Sequence, residues 1–263
     1  MIRVLVAGAA GRMGSEVVRA ITTAEGMAVV AAVDPAHEDD EVTDGCGGTL
    51  VCGGDLAHAI AESAPDVMVD FTHPSVVAGN LRIALAAGVD CVVGTTGLSE
   101  AAIAELANLI PEGTCLFVAP NFAIGAVLMM RFAEQAAAFM PSVEIIELHH
   151  DRKADAPSGT ALRTAMLIDA ARGTGPDTPG KDTELPGAEG ARGAVVGGIH
   201  VHSVRLPGLV AHQEVVFGGQ GQTLTIRHDS IDRTSFMPGV VLSVRQVGAR
   251  SGLVIGLEHL LGI

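Results

Sequence analysis

The sequence predicts an α/β protein: a doubly wound parallel sheet comes first, then a second α+β domain built on a mostly antiparallel sheet. Three observations predict it. Up to about residue 120, short continuous apolar runs alternate with Ala-rich stretches of helical spacing, the pattern of a parallel sheet covered on both faces. Each of those runs ends in glycine or polar residues: GAAGRMG, DPAH, FTHP, GTTG and APNF. From about Gly193 the texture changes to segments such as HVHSVRL and TLTIRH, which alternate as half-buried antiparallel strands do.

In chain order, the first-half strands are expected at Ile2–Ala7, Met27–Val33, Val67–Phe71, Cys91–Gly94 and Cys115–Ala119, with helices at Pro74–Ala87 and Ser99–Leu109. In this architecture ligands bind at the carboxyl ends of the strands, where the polar and glycine-rich segments should cluster. Glu144–His150 reads as a strand, and Ser158 opens a helix (SGTALRTAMLIDAA). Ala194–Arg205, Leu209–Phe217 and Gln222–His228 read as β-runs, and Arg233–Val247 as helical. Residues 1–123 plus 232–263 are therefore assigned to one domain and 124–231 to the other. Gly173–Arg192, rich in Gly, Pro and charge, reads as a mobile loop, either an active-site lid or a surface excursion.

Composition narrows the function. A hydrophobic fraction of 48% in 263 residues supports a real core. The net charge is −14 and no run of Lys or Arg occurs, which argues against nucleic acid and anionic membrane surfaces as partners. No stretch approaches the roughly 18 apolar residues of a membrane helix. MIRVLVAGAA reads as a first strand rather than a signal peptide, so a cytoplasmic protein is expected. The four cysteines form no CxxC pair, Cys91 and Cys115 sit in apolar runs, and no metal site is expected.

Gly8-Ala9-Ala10-Gly11-Arg12-Met13-Gly14 follows a predicted strand and opens a predicted helix. Glycines there let the backbone approach a pyrophosphate, which then sits at the positive end of the helix dipole. Asp34 ends the second strand, 20 residues after Gly14, where an acid accepts hydrogen bonds from an adenosine ribose. A Gly-rich loop needed only for packing would not require that acid. Strand, loop, helix and acid in register make the first domain Rossmann-type and point to dinucleotide binding.

ELHHDRKADAPSGTA, residues Glu147 to Ala161, concentrates acids and bases. Seven of the nine residues from Glu147 to Asp155 are titratable, in a chain only 17% charged. Pro157 disfavours helical geometry at Ala156, Ser158 is a good N-cap, and the first N–H groups of the helix make a carboxylate site. Gly159 permits close approach and Thr160 adds a hydroxyl donor. His149, His150, Arg152 and Lys153 surround that helix start with positive or protonatable groups. The arrangement suits a small dianionic substrate that must also receive a proton. Lys153 stands out because Arg supplies 14 of the 16 cationic residues, and lysine, unlike arginine, can be tuned to give up its proton. A solvated loop of cancelling charges accounts for any one of these residues better than for the whole cluster.

GAAGRMG, DFTHP, VVGTTG, APNFAIG and above all ELHHDRKADAPSGTA resemble, in order and spacing along essentially the whole chain, the 4-hydroxy-tetrahydrodipicolinate (dihydrodipicolinate) reductases of lysine biosynthesis. The resemblance implies an oxidoreductase using NADH and/or NADPH on a small cyclic dicarboxylate, assembled as a homotetramer. It implies that Gly8, Ala9, Ala10, Gly11, Arg12, Met13, Asp34, Gly94, Thr95, Thr96, Ala119, Pro120, Asn121 and Phe122 hold the dinucleotide. It further implies that His149 and Lys153 handle the proton and that His150, Gly159 and Thr160 contact the substrate. Many relatives that use the phosphorylated cofactor carry an arginine after the acid, where this chain has Pro35, and some have arginine where DFTHP has His73. NADH is therefore expected to serve at least as well as NADPH. A dehydrogenase for a sugar or aldehyde would not need the dianion site, and a non-catalytic nucleotide sensor would not pair it with a dinucleotide loop.

Overall fold

The computed structural model describes residues 1–173, 185–187 and 190–263. Along the chain the elements are β1 (Ile2–Ala7), α1 (Gly14–Thr23), β2 (Met27–Val33), β3 (Glu41–Thr43), β4 (Thr49–Gly53), α2 (Leu56–Ser63), β5 (Val67–Asp70), α3 (Val77–Ala86), β6 (Asp90–Val93), α4 (Glu100–Ala107) and β7 (Cys115–Val118). Then come α5 (Ile124–Ala137), β8 (Ser142–His149), α6 (Gly159–Ala171), β9 (Ala194–Val196), β10 (Ile199–Arg205), β11 (Ala211–Gly219), β12 (Gln222–Ser230), α7 (Met237–Val247), β13 (Gly252–Ile255) and α8 (Glu258–Leu261). Two compact units result: Met1–Ile124 with Arg233–Ile263, and Gly125–Asp232.

The first unit is an eight-stranded sheet in the order β13-β7-β6-β5-β1-β2-β4-β3, parallel except where β3 meets β4. The central strands are apolar because helices cover them: β5 (VMVD) is buried at all four positions. In α1 the buried residues Gly14, Val17, Val18 and Ile21 follow helical spacing and form its inner face. Leu5, Met68, Leu81, Leu85 and Leu116, all fully buried, belong to one core cluster. Caps fix where helices begin: Asp55 accepts from the His58 N–H at α2, and Ser99 from the Ala102 N–H at α4.

The second unit is a five-stranded sheet, β12-β11-β8-β10-β9, antiparallel except for the β8–β10 pair. The sheet is thus mostly antiparallel, as expected, and its one parallel pair follows from the route between strands and not from their pattern. The expected run Ala194–Arg205 divides into β9 and β10 at Gly197 and Gly198, both at positive φ. The hairpin β3–β4 and helix α2 also lay outside the expected elements. Both strands are short and largely exposed, and the hairpin turns on Gly45 and Gly47, whose φ values of 81° and 96° suit glycine. Of the loop expected over Gly173–Arg192, residues 174–184 and 188–189 lie outside the described residues.

Candidate active site

The strand order reverses direction of winding at β1, with β2 on one side and β5 on the other, the switch point where doubly wound sheets bind ligands. The carboxyl ends of the parallel strands bring the predicted dinucleotide residues to one edge: Gly8–Met13 after β1, Asp34 after β2, Gly94–Thr96 after β6 and Ala119–Phe122 after β7. Gly8 has φ +78° and its N–H donates to the Val33 carbonyl at 2.7 Å. A Cβ on Gly8 would meet the Phe71 oxygen at 2.5 Å, and one on Gly14 the Gly8 oxygen at 1.9 Å. These glycines are thus required by close backbone approach. Gly94 is required as well, since its Cβ would fall 2.1 Å from the Phe71 ring. Ala9, Thr95, Ala119 and Phe122 are buried supports, while Arg12, Thr96 and Pro120 are exposed. Phe122 packs its ring against Phe71 and Phe117, with centroids 5.7 and 6.1 Å away.

A cavity of about 300 Å³ opens at the ends of β1 and β2, lined by Gly8, Val33, Pro35, Asp55, Thr72 and Asn80 among others. Under it lies a residue that the sequence reading passed over. Asp70 is fully buried. It accepts from Thr95 Oγ1 at 2.6 Å, Thr72 Oγ1 at 2.8 Å, Thr72 N at 3.1 Å and Asn80 Nδ2 at 2.8 Å. Asp70 thereby ties together the ends of β5 and β6 and helix α3. An acid closing an otherwise apolar strand was the available signal. Asp34 accepts from the Ala36 N–H at 3.3 Å, and His37 is drawn to Asp40 at 2.9 Å.

In the second unit, β8 delivers the charged loop and α6 receives it. Glu147 and His149 are two residues apart, so both project from the same face of β8. Glu147 is fully buried. Arg205, its diagonal neighbour on β10, grips it with a two-pronged fork at 2.8 Å to each oxygen. Oε1 also accepts from the Ser158 N–H at 3.1 Å, and Oε2 faces His149 Nδ1 at 2.5 Å. Burial raises the cost of the charge on Glu147, yet hydrogen bonds from His149, Arg205 and Ser203 outweigh it and hold the carboxyl down at about 2. An ionised carboxylate only accepts, so His149 Nδ1 carries a hydrogen and Nε2 is the atom left to react.

Ser158 caps α6, its Oγ accepting from the Ala161 N–H at 3.2 Å, so Gly159 and Thr160 occupy the first helical turn. Gly159 is exposed, and nothing lies within 4 Å of where its Cβ would be; no packing demands a glycine there. Lys153 sets its ammonium 2.8 Å from both oxygens of Asp155, whose side chain is 61% exposed. His150 Nδ1 is buried and has no hydrogen-bond partner among the described residues. The structure thus brings His149, His150, Lys153, Gly159 and Thr160 onto one strand-end, loop and helix start. Arg205 was missed because it lies 58 residues from Glu147 in sequence. Glu147 was visible in the motif, and its i, i+2 spacing from His149 was the signal.

The family described as dihydrodipicolinate reductase, N-terminus, matches residues 2–122, and dihydrodipicolinate reductase, C-terminus, matches residues 125–261. A 4-hydroxy-tetrahydrodipicolinate reductase of Desulfitobacterium hafniense is 52% identical, covering 99% of this chain and 98% of that protein. One from a Mycobacterium species is 52% identical over 100% of both chains. The dipicolinate-bound dihydrodipicolinate reductase of Paenisporosarcina sp. TG-14 superposes with TM-score 0.86 at 45% identity, covering 98% of this chain and 99% of that one. An amine dehydrogenase of Mycobacterium smegmatis, TM-score 0.65 at 17% identity, shares the fold. With both halves matched and relatives above half identity along the full length, the chain belongs to the dihydrodipicolinate reductase family, the NADH- or NADPH-dependent oxidoreductases of diaminopimelate and lysine biosynthesis.

Proposed function

We propose that the chain reduces 4-hydroxy-tetrahydrodipicolinate, by way of dihydrodipicolinate, to tetrahydrodipicolinate, with His149 and Lys153 handling the proton. The observation that carries the reading is the charged loop itself: two protonatable side chains, each held by its own carboxylate, beside a capped helix start with open space at Gly159. When bound, the reduced nicotinamide supplies a hydride to an electrophilic ring carbon of the substrate. Gly8–Met13, Asp34, Gly94–Thr96 and Ala119–Phe122 hold that cofactor in this reading. Gly159 and Thr160 take a substrate carboxylate at the positive end of α6, and His150 contacts the substrate beside them. Arg205 is committed to Glu147 and to the Asp155 carbonyl, which leaves Lys153, Arg152 and the histidines to meet the substrate's negative charge. Lys153 leaves Asp155 readily, because the Asp155 side chain is exposed, and donates the proton that completes reduction.

The reading extends to a cytoplasmic homotetramer. The family resemblance supports it, as does a face of the second sheet where Ile146, Leu148, Val204 and Val216 stay partly exposed. Among the described residues no helix is long and apolar enough to cross a membrane.

The test is NADH or NADPH oxidation with freshly generated substrate, alongside dipicolinate binding with and without cofactor. Turnover, and dipicolinate binding that tightens with cofactor, are expected; neither occurring would overturn the reading. NADH should serve at least as well as NADPH. Asp34 repels a 2′-phosphate, and the nearby His37 is engaged with Asp40.

A further inference from the structure

Glu147 is fully buried and the Arg205 side chain only 19% exposed, and neither is among the groups read as meeting the substrate. Their hydrogen bonds nevertheless reach both halves of the proposed chemistry. Oε2 of Glu147 faces His149 Nδ1 at 2.5 Å, and Oε1 accepts at 3.1 Å from the N–H of Ser158, the residue that caps α6. Arg205 bonds each oxygen at 2.8 Å and donates to the Asp155 carbonyl at 2.6 Å, fastening the loop that carries Lys153. Ser203, opposite Glu147 in the β8–β10 register, adds a hydroxyl.

Resting on the reading above, we propose that Glu147, gripped by Arg205, is a positioning residue that fixes the His149 tautomer and, through Ser158, places the Gly159–Thr160 helix start, so that proton handling and carboxylate binding are set by one buried group.

The reason lies in counting donors. Each carboxylate oxygen receives an Arg205 N–H; Ser158 adds a donor to Oε1, His149 one to Oε2, and the Ser203 hydroxyl a fifth to the carboxylate. The Arg205 and Ser158 donors cannot become acceptors; the Ser203 hydroxyl can reverse by rotation alone, and on the Oε2 side the imidazole can reverse by moving its proton to Nε2. A glutamine at 147 has a single oxygen. Its amide NH2 would therefore turn toward His149, against one Arg205 N–H, and leave Nδ1 to accept. His149 would then present Nε2–H to the substrate side in place of a bare Nε2. A carboxylate lost from this position thus changes chemistry and not only packing.

The experiment uses the full-length protein as Glu147→Gln, with Arg205→Lys as the second variant, because lysine offers no fork to hold both oxygens at once. Folding is checked by melting, and NADH affinity by titration. NMR of 15N-histidine-labelled protein reads the His149 tautomer directly. The expected result is an Nδ1–H signal in the unaltered chain and an Nε2–H signal in Glu147→Gln. With it should come a kcat lower by about 10- to 100-fold and dipicolinate binding weaker by roughly tenfold, at unchanged NADH affinity. Arg205→Lys should weaken kcat and dipicolinate binding together, by smaller factors. A merely structural role would lower the melting temperature of both variants while tautomer, kcat and dipicolinate affinity of the folded protein stayed put, and that result overturns the proposal. Should Glu147→Gln fail to fold, an unaltered kcat and dipicolinate affinity in Arg205→Lys overturns it equally. Absence of turnover and dipicolinate binding in the unaltered chain would sink the functional reading instead, and the tautomer measurement would still decide the clamp.

Discussion

Glu147 and Asp155 each hold one protonatable side chain of the same loop, but in opposite surroundings. Glu147 is fully buried and forked by Arg205, whereas the Asp155 side chain is 61% exposed and holds the flexible end of Lys153. A buried, fully bonded carboxylate fixes geometry, and removing one of its partners strands a charge away from water. An exposed ion pair is worth about 0–1 kcal/mol and opens freely. The loop therefore joins a rigid anchor at His149 to a releasable group at Lys153, which is what binding in a set pose followed by proton delivery requires.

Arg205→Ala should produce the largest change in stability, because it leaves Glu147 buried beside an empty space. The expected cost is about 2–4 kcal/mol, below that of a fully enclosed pair because the guanidinium is 19% exposed. Chemical denaturation checks it, and a loss under 1 kcal/mol would erase the contrast between the two carboxylates.

Acid should expose the same anchor. A carboxyl whose folded-state value lies below its unfolded one contributes stability that is complete above the unfolded value and lost as pH falls toward the folded value. For Glu147 that window runs from 4.5 down to about 2, and the contribution at neutral pH is on the order of 3 kcal/mol. Unfolding free energy measured between pH 6 and 2 should fall across this window, and should fall less steeply in Glu147→Gln. Equal slopes would show that other carboxylates carry the acid response.

Much of this site can be read from the chain alone. The Pro157–Ser158 cap, the histidine pair and the lysine sit within one motif, and the glycine loop lies between a strand and a helix whose patterns are strong. Local patterns carry local geometry. Arg205 could not be found that way, since it reaches Glu147 only because β10 inserts parallel beside β8. Glu147 stood in the motif, and alternation puts it on the face of His149, but whether that face is covered depends on α6, whose Thr164 bonds Gln213 from the neighbouring strand. Asp70 closes an apolar strand, and its enclosure by two threonines and Asn80 comes from three different elements. Long-range pairing decides all three.

Thr160 tests the helix start that the anchor places. Thr160→Ala should mainly raise KM for substrate, by about 1.5–3 kcal/mol in kcat/KM, with kcat nearly kept. A raised KM for cofactor at unchanged substrate KM would mean that the two ligands have been exchanged.

The smallest effect belongs to the exposed partner. Asp155→Ala should alter stability by no more than about 1 kcal/mol. A larger loss would make Asp155 a second anchor and end the distinction drawn here.

Lys153→Ala tests the central claim most directly, measured as kcat under saturating NADH and freshly generated substrate. The account predicts a fall of roughly two to four orders of magnitude, the scale of a lost general acid, with NADH affinity and melting temperature close to those of the unaltered protein. A kcat within a few fold of the unaltered protein would contradict it and remove Lys153 from the proton path.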